Sequence, residues 1–206
     1  LHGVHHAFSE TDFWTLDIDR FRHAWKVVFA RHSPLRIQFS EDGTTCRILP
    51  DLEPSIEVFD LRQASPAQAH RHLSRLWNKW AHSDPPSAPY TRHFITLLPD
   101  GRQRVHEYYC GLNLDYASFV GVRLEAEAVY HSPHTLLPAT TAFSYRDYVL
   151  AERATRESQR GAESWEWWVE RVRQYPPPLS LPLANKQRAG RVNMAAMDEA
   201  DKVPVT

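Results

Sequence analysis

The chain has 206 residues, 42% of them hydrophobic and 24% charged, the make-up of an ordinary water-soluble globular domain with one sizeable core. Its 24 Lys and Arg against 25 Asp and Glu leave a net charge of -1, so no basic field recruits nucleic acid or an anionic membrane. No apolar run approaches the roughly 20 residues that cross a bilayer, no signal peptide is visible, and the two cysteines, Cys46 and Cys110, lack metal-ligand spacing, so a reducing, cytoplasmic setting is expected.

The elements follow in chain order. His2 to Phe8 reads as a strand with Val4, His6 and Phe8 on one face. Glu10 follows His5 by five residues, a spacing that suggests either an acid–base pair or plain strand histidines near a lobe edge. Asp17 or Asp19 is the expected N-cap of a helix whose stripe is Phe21, Ala24, Trp25, Val28 and Phe29, stopped by Ser33-Pro34. Leu35 to Phe39 and Thr45 to Leu49 alternate as a hairpin about Glu41-Asp42-Gly43. Ile56 to Phe59 is a short strand. Ser65-Pro66 then opens a helix with Ala69, Leu73, Leu76, Trp77 and Trp80 inward and His70, His72 and His82 facing solvent.

Thr91 to Leu98 and Arg102 to Tyr109 flank Pro99-Asp100-Gly101, the clearest hairpin in the chain. Its second strand hands over through Cys110-Gly111 to a helix from Ser118 to Tyr130, with Val122, Ala126 and Val129 inward. Ser144 caps a long helical region, with a break near Gly161, and Pro176-Pro177-Pro178 ends it as a stiff connector. Trp165, Trp167 and Trp168 cover more than one helix face; they are read as core, with one ring open to another lobe or chain. Mixed strands and helices favour an α/β sandwich. Both ends read as cut, as in a fragment of something longer.

The stretch His106 to Phe119 is where function is sought, because a strand-to-helix corner holds its side chains rigidly against a cleft. Cys110 reads either as an activated nucleophile or as a small residue filling space; a nucleophile needs a nearby base, and His106 is too far along the strand. Twelve histidines raise the question of a metal, but His131-Ser132-Pro133-His134 supplies too few ligands in a proline loop.

Taken together, several segments resemble the condensation-domain superfamily of nonribosomal peptide synthetases, most closely its heterocyclization branch. Arg31-His32-Ser33-Pro34-Leu35-Arg36-Ile37-Gln38-Phe39 is similar to the family's Arg-His-x-x-Leu-Arg-x-x-Phe signature. Cys110 to Phe119 falls where that family carries its central motif, Phe143 to Arg153 resembles a stretch of heterocyclization domains, and Leu181-Pro182-Leu183 resembles the link that ends a first lobe. The resemblance spans Gly3 to Ala184. It implies a chloramphenicol-acetyltransferase-like sandwich, one lobe of a two-lobed condensation domain, over residues 1–184, with 185–206 a linker or a piece of the second lobe.

The departures are specific. Ordinary condensation domains carry His-His-x-x-x-Asp-Gly at this corner, and heterocyclization domains Asp-x-x-x-x-Asp. This chain has Cys110-Gly111 at the first positions and keeps only Asp115, followed by Ser118-Phe119. The resemblance makes Asp115, Cys110 and Ser118 the candidate catalytic residues, with Arg31, His32 and Arg36 in support and an Asp115–Arg36 ion pair bracing the corner. It implies no intrinsic cofactor; the phosphopantetheine arm of a peptidyl or aryl carrier protein brings the substrate, and a second lobe completes the channel. The implied chemistry joins a carrier-bound acyl thioester to cysteine, serine or threonine and closes a thiazoline or oxazoline ring, as in siderophores, with little or none of it in this chain alone. The alternatives are a non-catalytic module that docks a carrier protein, and an acyltransferase using Cys110 or Ser118.

Overall fold

In a computed structural model, residues 6–81, 87–135, 137–138 and 143–176 are described. The chain divides into two units, Leu1–Ala142 and Phe143–Thr206, each taken by itself below. The boundary expected at residue 184 lies outside the described residues, as do His2 to His5, His82 and the Leu181-Pro182-Leu183 link.

The first unit is built on a four-stranded sheet of β1 (His6–Phe13), β4 (Ser55–Asp60), β5 (Thr91–Leu97) and β6 (Gln103–Cys110), in the order β1-β6-β5-β4. β5 and β6 form the antiparallel hairpin expected about Gly101, whose φ of 87° only glycine adopts freely. β1 lies antiparallel on the outer side of β6, from His6 opposite Cys110 to Phe13 opposite Gln103. β4 runs parallel to β5. A parallel pair needs a long crossover, and α2 (Pro66–Ala81) provides it.

Two helices cover the opposite face. α1 (Ile18–Arg31) is capped by Asp17, whose carboxylate accepts from the Asp19 and Arg20 N–H groups. Its stripe of Ala24, Trp25, Val28 and Phe29 meets Phe119, Val122, Ala126 and Val129 of α3 (Tyr116–His131) in one cluster with Leu35 and Leu114. On the α2 side, Leu76 and Trp80 pack with Tyr90, Phe94, Tyr108 and Cys110. Strand parity sorts the sheet between these layers. Val105, Glu107 and Tyr109 of β6 face α1 and α3, while His106, Tyr108 and Cys110 face α2.

Three expectations are corrected. The expected strand from Leu35 opens as a 3₁₀ turn at Ser33–Arg36, with Pro34 in its first positions and the Leu35 N–H already donating to the His32 carbonyl; only Ile37–Phe39 (β2) pairs with Cys46–Ile48 (β3), in a separate ribbon. His72 does not face water: its ring packs on Phe59 at 4.7 Å, and burial lowers its pKa. Trp77, expected inward, is exposed and meets Phe8 edge-on at 5.3 Å.

The second unit contains α4 (Tyr145–Glu157) and α5 (Gln159–Arg173). Ser144 and Asp147 close a capping box at the start of α4. The break falls at Ser158 rather than Gly161; Ser158 caps α5 by accepting from the Gly161 N–H. Gly161 matters in another way, since a Cβ there would collide with the Thr155 and Arg156 carbonyl oxygens of the preceding helix. Trp165, Trp167 and Trp168 are all exposed, which overturns their reading as core.

Candidate functional site

The corner at the end of β6 is short and tightly tied. Asn113 N–H donates back to the Cys110 carbonyl at 3.3 Å, and its side-chain amide donates to the Pro34 carbonyl at 3.1 Å, joining the corner to the 3₁₀ turn. Asp115 then caps α3: its Oδ1 accepts the Ser118 N–H at 2.7 Å. That bond, with a second from the Ser118 hydroxyl, holds the Asp115 carboxyl below its usual range. Asp115, Tyr116, Ala117 and Ser118 form the exposed rim of the corner, while Leu114 and Phe119 anchor it in the core. Phe119 stacks on Tyr109 with ring centroids 4.1 Å apart.

Cys110 is not on that rim. It is 0% exposed, within the cluster around Trp80 and Tyr108. Burial pushes its thiol up, only partly offset by a backbone hydrogen bond from Leu112. A reactive thiolate needs the reverse of both conditions; in this lobe Cys110 is packed as a small core residue.

The expected Asp115–Arg36 pair does not form. The Arg36 guanidinium instead donates to four backbone carbonyls: Phe29 at 2.8 Å and Ala30 at 3.2 Å in the last turn of α1, and Leu49 at 3.4 Å and Pro50 at 2.9 Å after β3. Helix ends leave such carbonyls without intrahelical partners, and Arg36 is placed to cap them. Arg31 and His32 act one step away from the corner. Both reach Glu125 of α3, at 3.0 Å and 2.7 Å, clamping the end of α1 to the middle of that helix.

Two buried polar groupings escaped the reading of the sequence. His106 Nδ1 lies 3.0 Å from Glu10 Oε1 and its Nε2 lies 3.0 Å from Thr96 Oγ1. The acid is the one singled out beside His5, but its histidine partner is 96 residues away. On the other face, His93 is wholly buried against Trp25, at 4.0 Å between ring centroids, with neither ring nitrogen partnered. Burial lowers its pKa to about 3, so its 3.9 Å approach to Glu107 is not an ion pair at neutral pH. The available signal was parity: Glu107 stands between Val105 and Tyr109 on a face that is otherwise apolar. Among the described residues, no three His, Cys, Asp or Glu side chains gather to hold a metal, and no helix is long and apolar enough to cross a membrane.

No protein-family model matches the chain. It is 31% identical over 189 residues to the phenyloxazoline synthase MbtB of Mycolicibacterium paratuberculosis, a match covering 90% of this chain and 16% of that protein. To the pyochelin synthetase PchE of Pseudomonas aeruginosa it is 32% identical over 192 residues, 87% of this chain and 12% of that one. The EpoB cyclization-docking bidomain of a nonribosomal peptide synthetase from Sorangium cellulosum superposes on 89% of this chain with a TM-score of 0.80 and 29% identity, using 37% of that chain. The chain belongs to the condensation-domain superfamily, in its heterocyclization branch.

The mixed α/β unit is thus one lobe of a condensation domain with the chloramphenicol-acetyltransferase-like fold. It spans only a small part of the relatives it matches. Within this heterocyclization lobe the Arg-His-x-x-Leu-Arg segment has a clear structural reading: Arg31 and His32 fasten α1 to α3 and Arg36 caps α1. At the corner Asp115 caps α3 and Cys110 is packed among apolar rings.

Proposed function

We propose that this lobe forms part of a heterocyclization domain acting on carrier-protein-bound thioesters. In that reaction the amine of a carrier-bound cysteine, serine or threonine attacks the acyl thioester, the carrier thiol leaves, and an amide forms. The side-chain thiol or hydroxyl then adds to the amide carbonyl and water departs, leaving a thiazoline or oxazoline. The role proposed for this lobe is to supply one wall of the channel, with Asp115 and Ser118 as the polar groups of the corner that a phosphopantetheine arm would pass. A second lobe supplies the groups that move protons. The observation that carries the reading is the corner itself: an exposed Asp115-x-x-Ser118 rim fixed at the start of α3 on a heterocyclization-type lobe.

A non-catalytic docking module is the second reading, supported by the buried, unactivated Cys110 at the motif's first position. Intact-protein mass spectrometry separates the two. An acyl-loaded and a cysteinyl-loaded carrier protein are incubated with this chain alone and with a second lobe added. Condensed or cyclised product only in the second case supports the enzyme reading; carrier binding without product in either case leaves the docking module.

A further inference from the structure

The α1/α3 side of the sheet holds a cavity of about 290 Å³ that ends on the middle of β6. Phe13, Leu16, Phe21, Trp25, Val105 and Tyr130 are the large apolar residues of its wall. Glu107 lines it and is only 5% exposed. An ionised carboxylate has about four acceptor sites, and those of Glu107 are poorly filled. Ser9, its register partner on β1, donates one hydrogen bond. Arg123 Nε stands 3.6 Å from Oε2, beyond hydrogen-bond range, on a side chain that is 49% exposed. His93 Nε2, 3.9 Å from Oε1, is uncharged at neutral pH. Burial accordingly raises the Glu107 pKa, with Arg123 offsetting only part of it.

We propose that this cavity is a binding site for a small organic cation with an apolar body, of the arylalkylamine class, its ammonium against Glu107 and its ring among Phe21, Trp25 and Tyr130. Three features select that chemistry. Glu107 and Glu127 outnumber Arg123 in a lining that also holds His131, a formal negative excess with His131 uncharged, which disfavours carboxylates. An ammonium brings three donors and a full charge to a carboxylate whose neighbouring cation, Arg123, stands beyond hydrogen-bond range on a half-exposed side chain. The aromatic wall suits a one-ring body and attracts a cation to its ring faces, and the volume lies at the lower end of ligand cavities, which run from roughly 300 to 1,000 Å³. The site is separate from the corner of the proposed thioester chemistry: Asp115 and Ser118 stand at the start of α3 and neither lines the cavity, which α3 meets from Arg123 onward.

The test is calorimetric titration of the 206-residue chain with three isosteres: phenethylamine, 2-phenylethanol and phenylacetate. Phenethylamine is expected to bind saturably and at least about tenfold more tightly than the alcohol, a difference of about 1.4 kcal/mol, with no heat from phenylacetate. Glu107→Gln should erase the preference for the amine, and Thr11→Phe, which fills the cavity from β1, should abolish binding. Arg123→Gln, at a half-exposed helix position, removes the competing cation and should tighten phenethylamine. Equal binding of amine and alcohol, a preference that survives Glu107→Gln, weaker amine binding in Arg123→Gln, or no amine binding at all would overturn the proposal.

Discussion

Glu10 and His106 face each other across the β1–β6 ladder, and the imidazole that meets the Glu10 carboxylate through Nδ1 meets Thr96 of β5 through Nε2. One buried ring therefore joins three strands. Phe8 stacks over it at 5.7 Å, and Arg104 holds Glu10 from the solvent side at 3.2 Å. Removing the ring leaves both a void and two unsatisfied oxygens. His106→Ala should lower unfolding free energy by about 3 kcal/mol, against about 1 kcal/mol for Glu10→Gln. Urea unfolding measures both; equal effects would show that the ring is not the shared pin.

Cys110 and Cys46 provide an internal comparison of thiol reactivity. Cys46 is exposed, whereas Cys110 is buried with its thiol pushed up. Timed alkylation with peptide mapping should modify Cys46 promptly and Cys110 only on unfolding. Cys110→Ser should cost more stability than Cys110→Ala, because the hydroxyl would be buried among apolar rings.

His93 sets a pH dependence. Its folded pKa of about 3 lies below the ordinary histidine value of 6.5, so the unfolded chain binds the proton that the folded chain refuses. Stability through this group is full above pH 6.5 and falls as the pH drops towards about 3, by at most about 1.4 kcal/mol per pH unit. Glu107, its raised neighbour, acts in the opposite sense by favouring the folded chain as it gains a proton. Denaturation of His93→Phe across pH 4 to 7 should show a flatter acid limb than the parent.

Asp115 gives the complementary case. Its pKa is lowered by the Ser118 bonds, so its charge stabilises the fold above its usual value and the benefit disappears as the pH falls through the folded value. Asp115→Asn keeps an acceptor for the Ser118 N–H and should retain most of the thermal stability at neutral pH; Asp115→Ala should not. Once the pH has fallen below the folded value, the parent and the Asn variant should melt alike. Melting curves at two pH values decide this.

At Gly161 the usual sign is reversed. A glycine-to-alanine change inside a helix ordinarily stabilises by roughly 0.5–1 kcal/mol. Here the new Cβ would strike the Thr155 and Arg156 carbonyls, so Gly161→Ala should open the α4–α5 junction and lower both helicity and melting temperature by circular dichroism.

Local rules were enough for several of the elements. The apolar stripe of α1, the Asp17 cap, the Gly101 hairpin and the strand-to-helix corner each depend on residues within a turn or two of one another, and each lies where the sequence places it. The family was legible there too, as the match to heterocyclization-type relatives over most of the chain bears out. What local rules could not supply is the choice of partner among groups far apart in the chain. Arg36 had a carboxylate within the motif to pair with, yet packing brings it to the open carbonyls at the end of α1. Glu10 sits near His6 in sequence, but the β1–β6 register delivers it to His106. The side-chain alternation of a strand says which residues share a face; only the assembled layers decide that one face buries Cys110 under α2 while the other leaves Glu107 at the end of a cavity.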